Sequence, residues 1–319
     1  MPSTKRVLVT GGAGFIGSHL VDRLVHDGCV VRVIDNLSTG SLVNIKGHVE
    51  TGAIDFVKGD ICDADFVREN VEDFDVLFHL AAVTSVPFSV ENPDLTYQTN
   101  LAGTLNLLAS YARRRVGKFV FVSTCAVYGE PKYLPIDEQH PSQPISPYAE
   151  SKLAAERYCL GFHKHDLLRA VVLRFFNVYG PRQGLNDYSG VITRFLERSR
   201  QNLPLIVYGN GSQTRDFVAV YDVVDAVISS MEKPGAEGGI FNVGTGSPTS
   251  INELAKTVLK LGGADSLISY EAARAGDIQE SYADISRTKK LLGYEPKFFL
   301  ADGLKCMFSE RSSSVEQTI

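Results

Sequence analysis

The sequence predicts an α/β fold in which a doubly wound parallel sheet carries a smaller C-terminal α/β lobe. Short apolar runs alternate with helical stretches through the first half of the chain, beginning with KRVLVT at 5–10 and CVVRVI at 29–34. Strands that alternate with helices form parallel sheets covered on both faces, and ligands bind at the carboxyl ends of such strands. After residue 175 the alternation breaks, and loops rich in glycine and polar residues follow.

The first strand runs into the glycine-rich turn GGAGFIG and then into the amphipathic stretch SHLVDRLVHDG. Gly11, Gly14 and Gly17 allow a tight turn, a close approach of backbone N–H groups to a diphosphate, and close packing of helix on strand. The positive end of the helix dipole also favours phosphates. Asp35 ends the second strand 18 residues after Gly17, where an acidic side chain accepts from the adenosine ribose and repels a 2′-phosphate. This pattern is typical of a Rossmann domain and favours NAD over NADP.

The next three apolar runs are each followed closely by a residue that can border a ligand: Asp60, Ala81 and Ser123. Because the carboxyl ends of parallel strands meet at one edge of a sheet, all three can border one cofactor. His79 lies inside its strand, and we expect it to be a packed core histidine.

The stretch SPYAESK at 146–152 brings together a phenol and an ammonium group. Helix formers follow Tyr148, and Pro147 occupies a position that a first helical turn tolerates, so Tyr148 and Lys152 share one helix face. A nearby cation favours the ionised form of a phenol whose ordinary pKa is about 10, which makes it a base near neutral pH. This spacing alone is usually found on ordinary surface helices, and the nucleotide-binding pattern upstream makes the pair a catalytic candidate.

Composition and charge exclude several classes of function. The 319 residues carry a net charge of −5, which disfavours the basic surface that nucleic-acid binding needs. No apolar stretch approaches the ~20 residues of a membrane span, and the N-terminus lacks the apolar region of a signal peptide. The five cysteines are scattered without a C-x-x-C pattern, which indicates reduced thiols and no metal site. We therefore expect a cytoplasmic protein.

Three motifs together resemble the extended short-chain dehydrogenase/reductase family: GGAGFIG at 11–17, STCAVYG at 123–129 and SPYAESK at 146–152. Within that family the likeness is to the nucleotide-sugar epimerase/dehydratase branch, supported by the further match RFFNVYGPRQ at 174–183. The matches extend from residue 5 to about residue 305.

The resemblance implies a division of the chain into two lobes. An NAD-binding Rossmann domain is expected over 1–175, and 218–245 is expected to return to it. The substrate lobe, which binds the nucleotide sugar, is expected from 176–217 and 246–310. A disordered tail is expected at 311–319. Members of the family commonly form homodimers through two helices per subunit, here at about 95–115 and 148–165, which assemble into a four-helix bundle.

The resemblance also implies roles for individual residues. Tyr148 is the expected catalytic base, Lys152 grips the nicotinamide ribose, and Thr124 hydrogen-bonds the reacting hydroxyl. The expected cofactor-binding residues are Gly11, Gly14, Phe15, Ile16, Gly17, Asp35, Asn36, Ser38, Gly40, Asp60, Ile61, Leu80, Ala81, Ala82, Asn100, Ser123, Tyr148, Lys152, Phe175 and Val178. The expected substrate-binding residues are Ser85, Thr124, Asn177, Val191, Tyr208, Arg215, Arg274, Asp277 and Ser281.

The branch contains epimerases, dehydratases and decarboxylases that share a first oxidation at C4 of the sugar. In 4,6-dehydratases the resemblance places an Asp-Glu pair directly after the Ser/Thr, and in UDP-glucuronate decarboxylases it places a glutamate one position later. Cys125 and Ala126 occupy these positions here, and neither can act as a carboxylate. The favoured function is therefore an NAD-dependent 4-epimerase of a UDP-hexose that works through a transient 4-keto intermediate.

The substrate depends on the residue seven past the arginine of R-x-G-D, which is Ser281 here. In similar 4-epimerases a small residue at this position admits an N-acetyl group, so we expect UDP-GlcNAc/UDP-GalNAc as well as UDP-Glc/UDP-Gal. A UDP-glucuronate 4-epimerase stays open as a second possibility. A nucleotide-sugar dehydratase, decarboxylase or reductase is also compatible with the motifs, as is, from another class, a non-catalytic NAD-binding sensor or scaffold.

Overall fold

A computed structural model of the protein describes residues 4–71, 73–114, 117–184, 190–263, 266–274 and 276–315. Within these ranges the strands, in chain order, are β1 (Arg6–Thr10), β2 (Val30–Asp35), β3 (Ile54–Lys58), β4 (Val76–His79), β5 (Lys118–Thr124), β6 (Arg169–Phe175), β7 (Asn177–Tyr179), β8 (Leu205–Tyr208), β9 (Thr214–Ala219), β10 (Ile240–Val243), β11 (Pro248–Ser250), β12 (Ile268–Glu271) and β13 (Glu280–Ser281).

The α-helices of the same ranges are α1 (Phe15–His26), α2 (Lys46–Glu50), α3 (Ala64–Asn70), α4 (Val86–Glu91), α5 (Pro93–Tyr97), α6 (Thr104–Tyr111), α7 (Pro147–Lys164), α8 (Val191–Arg200), α9 (Val220–Glu232), α10 (Ile251–Gly262), α11 (Ser286–Leu292) and α12 (Leu300–Val315). None of the described helices is both long enough and apolar enough to cross a membrane.

The central sheet has seven strands in the order β10-β6-β5-β4-β1-β2-β3, and all neighbours are parallel. Its strands are apolar on both faces, and helices bury each face in a separate core. Leu20 of α1 and Val227 of α9 belong to one core, whereas Leu107 of α6 and Ala155 of α7 belong to the other. The doubly wound parallel sheet predicted from the sequence is confirmed. The chain reverses its direction of winding between β1 and β4, which is where such sheets bind nucleotides.

The second lobe is built around β9, which pairs with β7, β11 and β13, and a separate parallel pair joins β8 to β12. Its own core includes Phe195 of α8, Leu254 of α10 and Leu304 of α12. Between the segments of this lobe, α9 packs with the first core and β10 joins the large sheet beside β6. The lobe therefore lies beside the carboxyl ends of β5 and β6 through β7, which follows β6 directly.

Two local expectations differ from the structure. The long helix expected at about 95–115 consists of α5, a π-helical segment (Gln98–Gly103), α6 and a short 3₁₀ turn. π-helical turns in helices often lie at functional sites, and this one turns Asn100 inward. The second difference is at the C-terminus, where the backbone is helical as far as Val315, because each residue added to an existing helix gains a hydrogen bond. Of the expected tail, 316–319 lie outside the described residues.

Candidate active site

The glycine-rich turn connects the end of β1 to the start of α1 in the geometry that a diphosphate requires. Gly11 has φ of +73°, and a Cβ there would lie 2.7 Å from the backbone nitrogen of Ala81. At Gly17 a Cβ would collide with the carbonyl of Gly11. Gly14 caps α1 and has no side chain to satisfy the first N–H groups of the helix. These donors are therefore available to an anion, which fits the phosphates of a dinucleotide.

Asp35 lies beside this turn at the end of β2. Its side chain accepts hydrogen bonds from the backbone N–H groups of Ala13 (3.0 Å) and Leu37 (2.8 Å). Burial raises the pKa of Asp35, and these two hydrogen bonds act in the opposite direction. A Cβ at Gly40 would lie 2.9 Å from both carboxylate oxygens, so the loop after β2 closes tightly over Asp35. The residues present fit an adenosine ribose at this position.

The remaining expected cofactor residues follow the carboxyl ends of the strands. Asn36 donates to the carboxylate of Asp60 (3.0 Å). Burial works to raise the pKa of Asp60, but hydrogen bonds from Cys62 and Asn36 hold it below its ordinary value. The others of this set lie in the loop after β2 (Ser38), after β3 (Ile61), after β4 (Leu80 and Ala82), at the end of β6 (Phe175) and in β7 (Val178).

The side chain of Asn100, another expected cofactor residue, is hydrogen-bonded mainly to protein groups. Its amide accepts from Val83 N–H (2.8 Å) and donates to Val83 O (2.9 Å) and to the hydroxyl of Ser151 (3.1 Å). Both amide hydrogens are used in this way. Asn100 therefore holds the loop after β4 against the catalytic helix α7.

The catalytic candidates meet where β5 ends and α7 begins. Ser146 caps α7 by accepting from Ala149 N–H, and Pro147 takes the first helical position, as the sequence predicts. This places Tyr148 in the first turn, where its phenol lies beside the side chain of Thr124. Burial raises the pKa of Tyr148 to about 12, and the Thr124 side chain acts to lower it. A hydroxyl that donates to a phenolate stabilises the ionised form.

Lys152 lies one helical turn after Tyr148 on α7. Its ammonium lies 4.1 Å from the centre of the Phe121 ring and is buried. Burial lowers the pKa of Lys152 to about 8, whereas Cys159 and Glu156 raise it. The expected tuning of the Tyr148 phenol by this ammonium stays a prediction.

The substrate lobe contributes two arginines, each fixed by a neighbour. Arg215 on β9 forms an ion pair with Asp277 (2.5 Å) and donates to the carbonyl of Ile278 (2.7 Å). The guanidinium of Arg274 stacks over the ring of Tyr208, 3.7 Å from its centre. Such guanidinium groups suit a diphosphate.

Ser281 connects this lobe with the catalytic centre. It lies opposite Arg215 in the pairing of β13 with β9, and it is buried. The thiol of Cys125, next to Thr124, is within electrostatic range of Arg215. Arg215 and Ser281, which are paired on neighbouring strands, therefore lie near the end of β5.

Three other expected substrate residues lie at the starts of secondary-structure elements. Ser85 uses its hydroxyl to accept from Phe88 N–H (3.1 Å) and so caps α4. Val191 opens α8, and Asn177 begins β7 opposite Phe217. In the described part of the chain no group of three or more His, Cys, Asp or Glu residues is arranged to hold a metal ion.

A buried ion pair beneath the catalytic residues was not predicted from the sequence. Glu156 on α7 accepts from Arg174 Nε (3.0 Å) and Nη2 (2.6 Å), and the Ser123 hydroxyl donates to its Oε1. The available signal was the repeated spacing of four along α7 from Tyr148 through Lys152 to Glu156, which puts all three on one helix face.

Comparisons with known proteins agree with this geometry. The model of the NAD-dependent epimerase/dehydratase family matches residues 7–244. UDP-glucose 4-epimerase of Mycolicibacterium smegmatis is 40% identical over 301 residues, which cover 94% of this chain and 96% of the relative. The crystal structure of UDP-glucose 4-epimerase with UDP-glucose from Thermotoga maritima superimposes with a TM-score of 0.92 at 38% identity, covering 97% of this chain and 99% of that one.

A third similar protein is UDP-N-acetylglucosamine 4-epimerase from Methanobrevibacter ruminantium M1, whose structure holds UDP-N-acetylmuramic acid. Its TM-score is 0.93 at 36% identity, covering 98% of this chain and 99% of that one. The family model spans most of the sequence, and these relatives match nearly its whole length. The chain belongs to the NAD-dependent epimerase/dehydratase family, as an isomerase with NAD as its cofactor.

Proposed function

We propose that the protein interconverts UDP-hexoses at C4, and that it accepts UDP-GlcNAc/UDP-GalNAc as well as UDP-Glc/UDP-Gal. The observation that carries the proposal is the position of the Tyr148 phenol beside the Thr124 side chain at the end of β5, near Arg215, which pairs with Ser281. This arrangement offers a base, a hydroxyl partner and a diphosphate-binding arginine to one nucleotide sugar.

The residues have distinct tasks in this reaction. Tyr148 removes the proton of the 4-hydroxyl and later returns one, and Thr124 hydrogen-bonds the same oxygen. When bound, NAD supplies a hydride acceptor and a positive charge that favours the phenolate. Lys152 lies one helical turn further along α7, where its ammonium suits the nicotinamide ribose. Arg215 and Arg274 hold the diphosphate while the sugar ring turns. Because a bound NAD would both accept a hydride at C4 and return it to the opposite face of the 4-keto sugar, the reaction would need no net redox change.

The site lacks the carboxylates that elimination of water or loss of CO₂ would need directly after Thr124. Cys125 stands where the dehydratases have a carboxylate, and burial raises the pKa of its thiol to about 12. A thiol of that pKa stays protonated at neutral pH and is neither a base nor a nucleophile. Ala126 follows it. This supports an epimerase over a 4,6-dehydratase or a decarboxylase.

The proposed tolerance of N-acetyl groups depends on Ser281. Its small side chain is buried where β13 meets β9, next to the strand that carries Arg215. A serine leaves more room beside the sugar than an aromatic residue would. The relatives support both substrate types, since one of those compared acts on UDP-glucose and another on UDP-N-acetylglucosamine.

The test begins with the purified protein and needs no added cofactor. We expect NAD to be released on denaturation, and UDP-Glc, UDP-GlcNAc and UDP-glucuronate are incubated separately with the native protein. C4 epimers of the first two without net NADH support the proposal. Epimerisation of UDP-glucuronate alone would assign the uronic acid as the substrate. Loss of water or CO₂ would indicate a lyase, and absence of turnover with all three would contradict the proposal.

We further propose that the protein is a homodimer that uses α5, the π-helical segment, α6 and α7. The outer surface of these helices exposes Leu95, Tyr97 and Tyr158. Neighbouring exposed apolar side chains on packed helices are typical of a surface that is covered in an assembly.

A further inference from the structure

The carboxylate of Glu156 is shared by groups from two adjacent strands of the central sheet. Ser123 on β5 and Arg174 on β6 lie opposite each other in the pairing of these strands, and both donate to Glu156 on α7. Glu156 and Arg174 are almost completely buried, with 1% and 3% of their surfaces exposed. The guanidinium of Arg174 also stacks over the ring of Tyr128, 4.6 Å from its centre.

This arrangement lies directly below the catalytic residues. Ser123 precedes Thr124 on β5, and Glu156 follows Lys152 and Tyr148 by one and two turns of α7. The Ser123 hydroxyl donates its hydrogen bond to Glu156, so toward any further partner its oxygen can act only as an acceptor. One carboxylate therefore connects the strand that carries Thr124 with the helix that carries Tyr148 and Lys152.

We propose that Glu156, locked by Arg174, is a positioning residue that fixes the Ser123 hydroxyl as an acceptor and holds the Tyr148–Lys152 face of α7 against the end of β5. The proposal rests on the proposed function, since it assigns a role in the same reaction. It goes further because the pair touches neither the substrate nor the cofactor directly. Its effect is transmitted through Ser123, through Lys152 and through the distance between β5 and α7.

Stability alone is a weak reason for such a pair. A buried ion pair seldom stabilises a fold more than apolar residues of similar size would, whereas removal of one partner leaves an unpaired buried charge. A structural role and a positioning role therefore make different predictions. If the pair is only structural, an apolar replacement of both residues should restore both folding and catalysis. If it positions the site, that replacement should restore folding and leave catalysis impaired.

The first variant is Glu156→Gln, which keeps the shape of the side chain and removes its charge. We expect kcat to fall about 10²-fold, as small misplacements of catalytic groups do, while KM for the UDP sugar changes less than about twofold. The KM should hold because Arg215 and Asp277 lie on the other lobe. The matched control is Glu150→Gln, the same change at an exposed position of the same helix, and it should leave kcat unchanged.

The second variant is Glu156→Leu/Arg174→Met. It distinguishes a structural role from a positioning role even if Glu156→Gln does not fold. We expect its midpoint of thermal unfolding to lie within a few degrees of the wild type. Its kcat should stay about 10²-fold low, and its affinity for NAD should be about tenfold weaker, as expected from the loss of one oriented hydrogen bond. Wild-type kcat and wild-type NAD affinity in this variant would overturn the proposal and leave the pair a structural element.

A third measurement is independent of turnover. The groups within electrostatic range of Lys152 are Glu156 and Cys159 on its own helix and His79 on β4. Because Glu156 raises the pKa of Lys152, the Glu156→Gln protein should show a lower Lys152 pKa when ¹³C-lysine NMR follows its titration. An unchanged Lys152 pKa would contradict the proposal. If the wild type epimerises no UDP sugar, the proposed function fails, while NAD affinity and this titration still test the role of Glu156.

Discussion

The side chain of Thr124, the last residue of β5, lies beside the phenol of Tyr148 in the first turn of α7 and lowers the pKa of that phenol. This contact opposes burial, which raises the pKa of Tyr148 to about 12. The phenol is therefore a weak acid until a further positive charge arrives, and bound NAD supplies one. Lys152 contributes through its place in the site, with its ammonium over Phe121.

Replacement of Thr124 by valine removes the hydroxyl and keeps the shape of the side chain. Since the Thr124 side chain lowers the pKa of Tyr148, loss of its hydroxyl raises that pKa, and the fraction of phenolate at pH 7 falls about tenfold for each unit of increase. We expect the acid limb of the kcat profile to move to higher pH and kcat near pH 7 to fall 10- to 100-fold. Thr124→Ser is the control and should retain the wild-type profile. An unshifted acid limb in Thr124→Val would contradict this role.

The nucleotide-binding half of the site could be predicted from the sequence because its chemistry is local. The glycine turn, its strand and helix flanks, and the spacing to Asp35 all lie within one β-α-β unit. The alternation of strands with helices and the absence of a carboxylate at Cys125 could also be recognised from the sequence.

What the sequence could not show depends on tertiary contacts. Glu156 and Arg174 are 18 residues apart, and only the parallel pairing of β5 with β6 aligns Arg174 with Ser123 under the helix. The direction of the Lys152 ammonium is likewise a matter of packing, because spacing along a helix fixes the face of a side chain but not the position of its end.

Substitution of Ser281 by tyrosine tests the predicted room beside C2 of the sugar. Ser281 is buried beside Arg215 in the pairing of β13 with β9, so a phenol ring there should fill the space of an N-acetyl group. We expect turnover of UDP-GlcNAc and UDP-GalNAc to fall at least 10²-fold, while turnover of UDP-Glc and UDP-Gal stays within about fivefold. The measurement is kcat/KM for each pair. Ser281→Ala should retain both activities, and an equal loss of both in Ser281→Tyr would refute the assignment.

Because His79 is buried and neutral, we expect the free energy of unfolding to depend on pH. The side chain of His79 is buried, and both of its ring nitrogens are hydrogen-bonded. The Thr104 hydroxyl donates to Asn100 O, so its own oxygen accepts from His79 Nε2–H. The neutral imidazole therefore carries its proton on Nε2, and Nδ1 accepts from the Thr10 hydroxyl. Burial and, to a lesser degree, Lys152 hold the pKa of His79 well below its ordinary value of 6.5. Below about pH 6.5, His79 therefore binds a proton in the unfolded chain but stays neutral in the native state. Stability conferred by the neutral imidazole is complete above this pH and is lost as the pH falls.

The expected size of this effect is up to about 1.4 kcal/mol per pH unit for a single proton. Urea unfolding at pH 7.5, 6.5 and 5.5 gives the dependence, and the comparison is with His79→Asn, which cannot titrate. The variant should be less stable at pH 7.5, and the difference between the two proteins should shrink towards pH 5.5. A difference that stays constant would show that His79 does not cause the dependence.

The proposed dimer surface can be tested with two charged substitutions. Leu95 on α5 and Tyr158 on α7 have 46% and 49% of their surfaces exposed, and each would be buried in a four-helix bundle with a second copy. Leu95→Glu/Tyr158→Glu should therefore convert a dimer to a monomer, because two like charges per subunit would be buried without partners. Light scattering after gel filtration measures the mass. Leu267→Glu, at a site 74% exposed and outside these helices, is the control and should remain dimeric. A wild-type protein with the mass of a single chain would exclude the dimer. A double variant that stays dimeric would place the interface elsewhere.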